Sequence, residues 1–116
     1  MKKAVLILLS LMCFWQAAPA VAADNHWLIG KWELFHDPDG DEKDWIEFTA
    51  DGKAVSYVAD GRSIHGEYVV KGSEINIVYT YKGQSIPLSL KSSPDKKQLF
   101  HYSERTRHTS EYRKLK

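Results

Sequence analysis

The feature that most constrains this chain is its punctuation. Turn-forming residues recur at short, regular intervals: Asp37-Pro38-Asp39-Gly40, Asp51-Gly52, Asp60-Gly61, Lys71-Gly72, Lys82-Gly83 and Ser92-Ser93-Pro94-Asp95. Glycine supplies positive backbone torsions without a Cβ clash and aspartate tolerates the same region, so Asp-Gly pairs suit tight hairpin turns. Between the turns lie runs rich in Val, Ile, Thr, Tyr, Phe and Trp, residue types that fit a pleated, half-buried surface. Brief runs of this kind, with a turn about every ten residues, predict an all-β meander.

The strands are expected over 31–36, 45–50, 53–59, 63–70, 73–81, 85–91, 97–103 and 109–115. Alternation is clearest in the middle of the chain. Ile64, Gly66, Tyr68 and Val70 share one face against His65 and Glu67; Ile75, Ile77, Tyr79 and Tyr81 share one against Glu74, Asn76 and Thr80. Ile86, Leu88 and Leu90 continue the period of two, which gives each strand one buried and one wet face. Pro87 falls within that last run and has no N–H to donate. It predicts a bulge or an edge, and an edge would leave a barrel incompletely closed. Ser93-Pro94-Asp95 also suits a helix start, with Ser as cap and Pro at the first helical position. A turn followed by a strand is expected instead, because a helix would leave the final segment without a hairpin partner. Residues 24–30 are expected to form a short 3₁₀ or helical turn, with Trp27, Leu28 and Ile29 plugging one end. The expected fold is all-β, a single up-and-down antiparallel meander of about eight short strands forming a small closed or nearly closed barrel.

The first residues carry a different signal. Met1-Lys2-Lys3 is followed by an apolar run from Ala4 to Trp15, then by small residues up to Ala23. A basic start, a short apolar stretch and small residues before a cut are the parts of a secretory signal, and the stretch is short for a membrane span. Cleavage after Ala22 or Ala23 fits equally. The single cysteine, Cys13, sits inside the apolar run and not at the cut, so it does not suit lipid attachment. Residues 1–23 are thus expected to be a signal peptide and 24–116 one domain, periplasmic or secreted, with no disulfide and no membrane anchor after cleavage.

Charge is nearly balanced but unevenly spread. Residues 24–60 hold ten acids and three lysines, and residues 61–116 hold eleven Lys or Arg and five acids. A balanced total offers no strong field for nucleic acid or a membrane surface. The asymmetry is read as internal complementarity, since the first and last strands of a closed sheet are neighbours.

The opening Gly30-Lys31-Trp32 resembles the Gly-x-Trp signature at the first strand of lipocalins and related calycins. The runs Ile46-Glu47-Phe48-Thr49-Ala50-Asp51-Gly52-Lys53, Gly66-Glu67-Tyr68 and Ile75-Asn76-Ile77 are similar to small bacterial lipocalin-like domains. The resemblance implies that Gly30 permits close backbone approach and that Trp32 closes the base of the barrel. It further implies an Arg packed over that Trp, with Arg113 ahead of Arg105 and Arg107. The Thr-Asp-Tyr motif and paired cysteines of typical lipocalins are absent.

An eight-stranded interior is just wide enough to be filled by side chains or to hold one small ligand. Trp32, Phe48, Tyr57, Tyr68, Tyr79 and Tyr81 are expected to point inward and are the candidate ligand-binding residues, although six such rings favour filling over an open cavity. Other constellations are weaker. The run 37–44 has the Asp-x-Asp-x-Asp spacing of a calcium loop, but its glycine is at the fourth position instead of the sixth, and Phe48 stands where a bidentate Glu belongs. It reads as a solvated acidic hairpin. His26, His36, His65, His101 and His108 form no close pair in sequence, although His36 and His101 would meet if their strands were near. Ser63-Ile64-His65 places a hydroxyl and an imidazole on one strand face without a strained nucleophile turn. Arg105-Thr106-Arg107-His108 reads as a solvated basic loop.

These features lead to an expectation of no catalysis, no cofactor and no metal. The first functional expectation is a monomeric exported binding protein for a small apolar or amphipathic ligand. The alternative is a protein-interaction module, an inhibitor, immunity or envelope accessory protein, docking its partner through loops and the acidic hairpin 37–44.

Overall fold

The computed structural model describes residues 23–40 and 42–116. The expected signal peptide, apart from Ala23, lies outside the described residues, as does Asp41 of the acidic run. A 3₁₀ helix, Ala23–Leu28, leads into eight strands: β1 (Gly30–His36), β2 (Asp44–Phe48), β3 (Lys53–Val58), β4 (Ser63–Lys71), β5 (Glu74–Tyr81), β6 (Gln84–Ser92), β7 (Gln98–Ser103) and β8 (His108–Lys114). Each strand pairs antiparallel with the next and β8 returns to β1, so the up-and-down order closes into a barrel. Every expected strand falls within a residue or two of an observed one.

The register sorts each strand into two faces. Trp32 lies opposite Ile46, Phe48 opposite Ala54, Tyr68 opposite Ile77, and Ile75 opposite Leu90, all turned inward. With Leu28, Leu34, Tyr79, Leu99 and Tyr112 these residues make one buried cluster. Phe48 and Tyr68 meet edge-on at 5.0 Å between ring centres, and Ala54 is small where the Phe48 ring needs room. Burial of this kind is the main favourable contribution to folding.

The base of the barrel is built from the chain's first turn. Ile29 N–H donates to His26 O at 3.1 Å, and the Trp32 indole Nε1–H donates to Leu28 O at 2.9 Å, so the helix is pinned to the strand it precedes. Trp27 stands edge-on to Trp32 at 6.2 Å. Gly30 adopts φ +132°, a conformation L side chains rarely take, and a Cβ there would lie 2.8 Å from Lys114 Cε. Lys114 crosses that gap to donate from Nζ to Trp27 O at 2.8 Å. This corrects the expectation for Arg113, which points outward, lies 3.7 Å from the centre of the Phe35 ring and bonds Glu111.

Gly66 marks a second close approach. A Cβ on it would sit 2.4 Å from the Val78 carbonyl and 3.0 Å from Tyr79 Cδ1, so β4 can cross β5 only because this residue has no side chain. The Tyr79 ring fills the space left open opposite it in the register.

The segment after Ser92 is a turn and not a helix. Ser93 Oγ accepts from Lys97 N–H at 3.2 Å and Gln98 N–H at 3.1 Å, and donates to Asp95 Oδ1 at 2.6 Å. Ser93 N–H donates to Gln98 O at 3.0 Å, so the hydroxyl that could have capped a helix closes the turn into β7. The barrel closes, contrary to one arm of the expectation for Pro87, but its closure is uneven. β6 pairs with β5 from Gln84 to Lys91, yet with β7 only through Lys91 opposite Phe100 and Ser92 opposite Leu99.

Candidate functional site

Four connections gather at the end away from Trp32: the described residues 37–40 and 42–43 of the first, then 59–62, 82–83 and 104–107. The acidic hairpin and the basic loop, each expected to be solvated separately, pack on one another. Asp39 accepts from Thr106 Oγ1 at 2.8 Å and lies 2.6 Å from His108 Nδ1, and Ser110 Oγ donates to Asp37 Oδ1 at 3.3 Å. The hydrogen bond with His108, then that from Thr106, holds the Asp39 carboxyl below its usual range.

Beneath this bridge the inward face turns polar. Asp44 begins β2 with its carboxylate toward the barrel, where the Tyr112 hydroxyl donates to its Oδ1 at 2.7 Å. Tyr79 comes from β5 on the same face and is 6% exposed. Its hydroxyl is buried, with the Ser56 side chain beside it as its hydrogen-bonding neighbour. Burial drives both phenols well above their ordinary pKa, and the charge on Asp44 adds to the effect. Register places Val58 opposite Asp44 and Ile86 opposite Tyr79, so an apolar wall flanks these polar groups.

The six aromatic candidates therefore do not form one site. Trp32, Phe48 and Tyr68 are core residues of the base and middle. Tyr79 sits at the mouth, and Tyr81 lies half-buried on the rim, accepting from Arg62 Nη1 at 3.1 Å. Tyr57 is a correction. It alternates with the inward Ala54, Ser56 and Val58, so it stands on the outer face opposite Trp45. There its hydroxyl donates to Glu47 Oε1 at 2.8 Å and the Lys31 ammonium lies 4.6 Å from its ring centre.

His36 registers with Glu111 and His101 with Ser110, so β8 runs between the two histidines. Among the described residues no group of three or more His, Cys, Asp or Glu is placed to hold a metal ion. Ser63 Oγ and His65 Nε2 lie 3.5 Å apart on the exposed outer face, at the limit of a hydrogen bond.

A second feature lies in the barrel wall. Beyond Lys91 and Phe100, β6 and β7 splay, leaving a groove of about 460 Å³ lined by Ser89, Leu90, Phe100, Tyr102, Glu104 and Thr109 among others. The backbone directions follow from one bond: Ser92 N–H donates to Ser73 O, on the β5 side. Alternation then points Gln84, Ile86, Leu88 and Leu90 toward β5, and Ser85, Pro87, Ser89 and Lys91 toward β7. Pro87 thus occupies a position whose missing donor would have faced the splay. Pro87, expected to mark a bulge or an edge, thus sits in a closed barrel on the stretch of β6 that pairs with β5 alone. Asp44 with Tyr112 carried no such signal, since their meeting depends on β1 and β8 bringing distant segments together.

No helix among the described residues is long and apolar enough to cross a membrane. Comparison of the chain with protein-family models, with curated proteins and with solved structures finds no match.

Proposed function

We propose that this chain is an exported, non-catalytic interaction module of lipocalin-like kind, which receives an extended segment of a partner protein along the open edge of β6. The leader pattern of residues 1–23 supports export to the periplasm or beyond. Gly30 and Trp32 at the start of β1, with Trp32 closing the base, support the lipocalin-like kinship. One observation carries the function. Between Ser85 and Ser89, β6 has a strand partner on one side only, beside a groove that exposes Tyr102 to 55%. The open edge offers the carbonyls of Ser85, Pro87 and Ser89 and the amides of Ser85 and Ser89 over about 13 Å. Backbone groups in such a row are satisfied by an added strand, and the neighbouring side-chain pockets confer selectivity. The missing donor at Pro87 limits uncontrolled pairing between copies.

A small apolar ligand held deep in the barrel is the less favoured reading, because Trp32, Phe48 and Tyr68 occupy that interior themselves. The test is selection of short random peptides on the immobilised protein, followed by binding to Ser89→Pro. That substitution removes a second donor from the open edge and leaves the β5 ladder intact. Selected peptides should bind the variant at least about tenfold more weakly. Peptides that bind both proteins equally would place recognition elsewhere and overturn the proposal.

A further inference from the structure

The groove beside β6 has a side-chain chemistry of its own, separate from the row of open backbone groups. Leu99 of β7 is fully buried, so alternation turns Phe100 and Tyr102 onto the outer face. Glu104 follows them along the same groove, which Lys91 and Glu74 also line. These two rings differ from the other aromatic side chains at the surface. Trp27 has Lys96 over its ring, Phe35 has Arg113, Trp45 and Tyr57 share Lys31, and Tyr81 has Lys82. Among the described residues, Phe100 and Tyr102 are the aromatic side chains outside the buried set that carry no cation of the chain's own. Glu104 likewise makes no ion pair among the described residues, whereas Glu33, Glu67 and Glu111 each make one. Lys91 does not fill the place, since it stands in the ladder between Glu74 and Phe100, at the closed end of the groove.

We infer, resting on the reading of β6 as a receiving edge, that the segment received there presents an arginine, its guanidinium lying on the Tyr102 ring and paired with the Glu104 carboxylate. In an added strand, side chains level with Ser85, Pro87 and Ser89 share the outer face with them, and Phe100 and Tyr102 stand on that face across the groove. A cation over an aromatic ring is attracted by the ring's quadrupole, and a guanidinium offers a carboxylate two parallel N–H donors as well. Lysine supplies the charge without the flat head that stacks on a ring and bonds at its rim. An acidic side chain would meet Glu104 and Glu74. An apolar one would cover the rings and take water from the Glu104 carboxylate without giving it a partner, which costs free energy.

Three capped heptapeptides test this. Each alternates valine and threonine and carries arginine, norleucine or glutamate at its centre, so that the central residue shares a face with the threonines. They are titrated into the isotopically labelled protein and followed by amide and aromatic shifts. The arginine peptide should bind at least about fivefold more tightly than the other two and should shift the Tyr102 ring. Glu104→Gln and Tyr102→Leu change exposed side chains, and each should cut that preference to about twofold or less while the spectrum reports an intact fold. Ser89→Pro should instead weaken all three peptides alike. Equal binding of the three peptides to the parent protein, or an arginine preference that survives Glu104→Gln, would overturn the arginine, and the Ser89→Pro response would still report on the edge. Binding that Ser89→Pro leaves unchanged would overturn the β6 edge and the arginine with it, as would no binding of any peptide.

Discussion

Two buried hydroxyls with different surroundings make unequal demands on the fold. Tyr112 donates to an aspartate, a bond with a charged acceptor in a poorly hydrated place, while Tyr79 has only the neutral Ser56 side chain beside it. Hydrogen bonds to charged groups contribute more than neutral ones, and an unsatisfied buried group is a net cost. Tyr112→Phe should therefore destabilise the protein by about 2 kcal/mol, whereas Tyr79→Phe, which loses only a neutral neighbour, should cost at most about 1 kcal/mol. Urea titrations of the two variants against the parent protein check this, and a loss of stability in Tyr79→Phe equal to that in Tyr112→Phe would show that the charge on Asp44 adds nothing to the Tyr112 bond. Trp32 sets the opposite extreme. It is fully buried, is bonded through Nε1 to Leu28 O, and carries the edge of Trp27. Trp32→Ala should cost about 3–5 kcal/mol, because the base cannot collapse onto a void of that size, and a loss under about 1 kcal/mol in the same titration would contradict its placement.

At the scale of strands, most of the barrel was legible because turn chemistry and period-two alternation agree along the chain. β5 read cleanly, since Ile75, Ile77 and Tyr79 are buried at every second position, whereas on β6 only Leu90 of the expected inward set is buried: Leu88 is half-buried and Ile86 is exposed at the rim. β3 misled for a physical reason. Its conspicuous residues, Val55 and Tyr57, face outward beside Trp45, and its core positions are Ala54, Ser56 and Val58. Ala54 had to be small opposite Phe48, so the bulkier alternating set was the wrong one. The paired interior Asp44 and Tyr112 were illegible because 68 positions separate them. β6 supplies the test at this scale. Its β5-facing amides, those of Ile86, Leu88 and Leu90, should exchange slowly with solvent, and those of Ser85 and Ser89 should exchange fast. Uniform protection along β6 would mean that its second edge is covered, and the splay from β7 would not be an accessible edge.

The division of charge between the two halves of the chain has a consequence for the whole molecule. The closed topology brings the acidic first hairpin onto the last turn, where Asp39 meets Thr106 and His108, and sets Glu33 opposite Arg113. Exposed pairs of this kind contribute little individually. Several carboxyls nevertheless titrate low for local reasons: Asp39 through His108 and Thr106, Asp51 through Thr49, Asp60 through Arg62, and Asp95 through Ser93 and the Lys97 amide. Each favours its charged form in the folded state more than in the unfolded chain. Their stabilisation is therefore fully present above the unfolded value, about pH 4, and is lost as pH falls through the depressed folded values. The urea midpoint should accordingly drop between pH 5 and pH 3, about the range in which the unfolded carboxyls take up protons. Asp39→Asn removes one titrating group from this set while keeping a side chain that can still meet Thr106. Its drop over the same interval should be smaller than that of the parent protein, whereas equal drops would show that the bridge across the mouth does not feel the charge on Asp39.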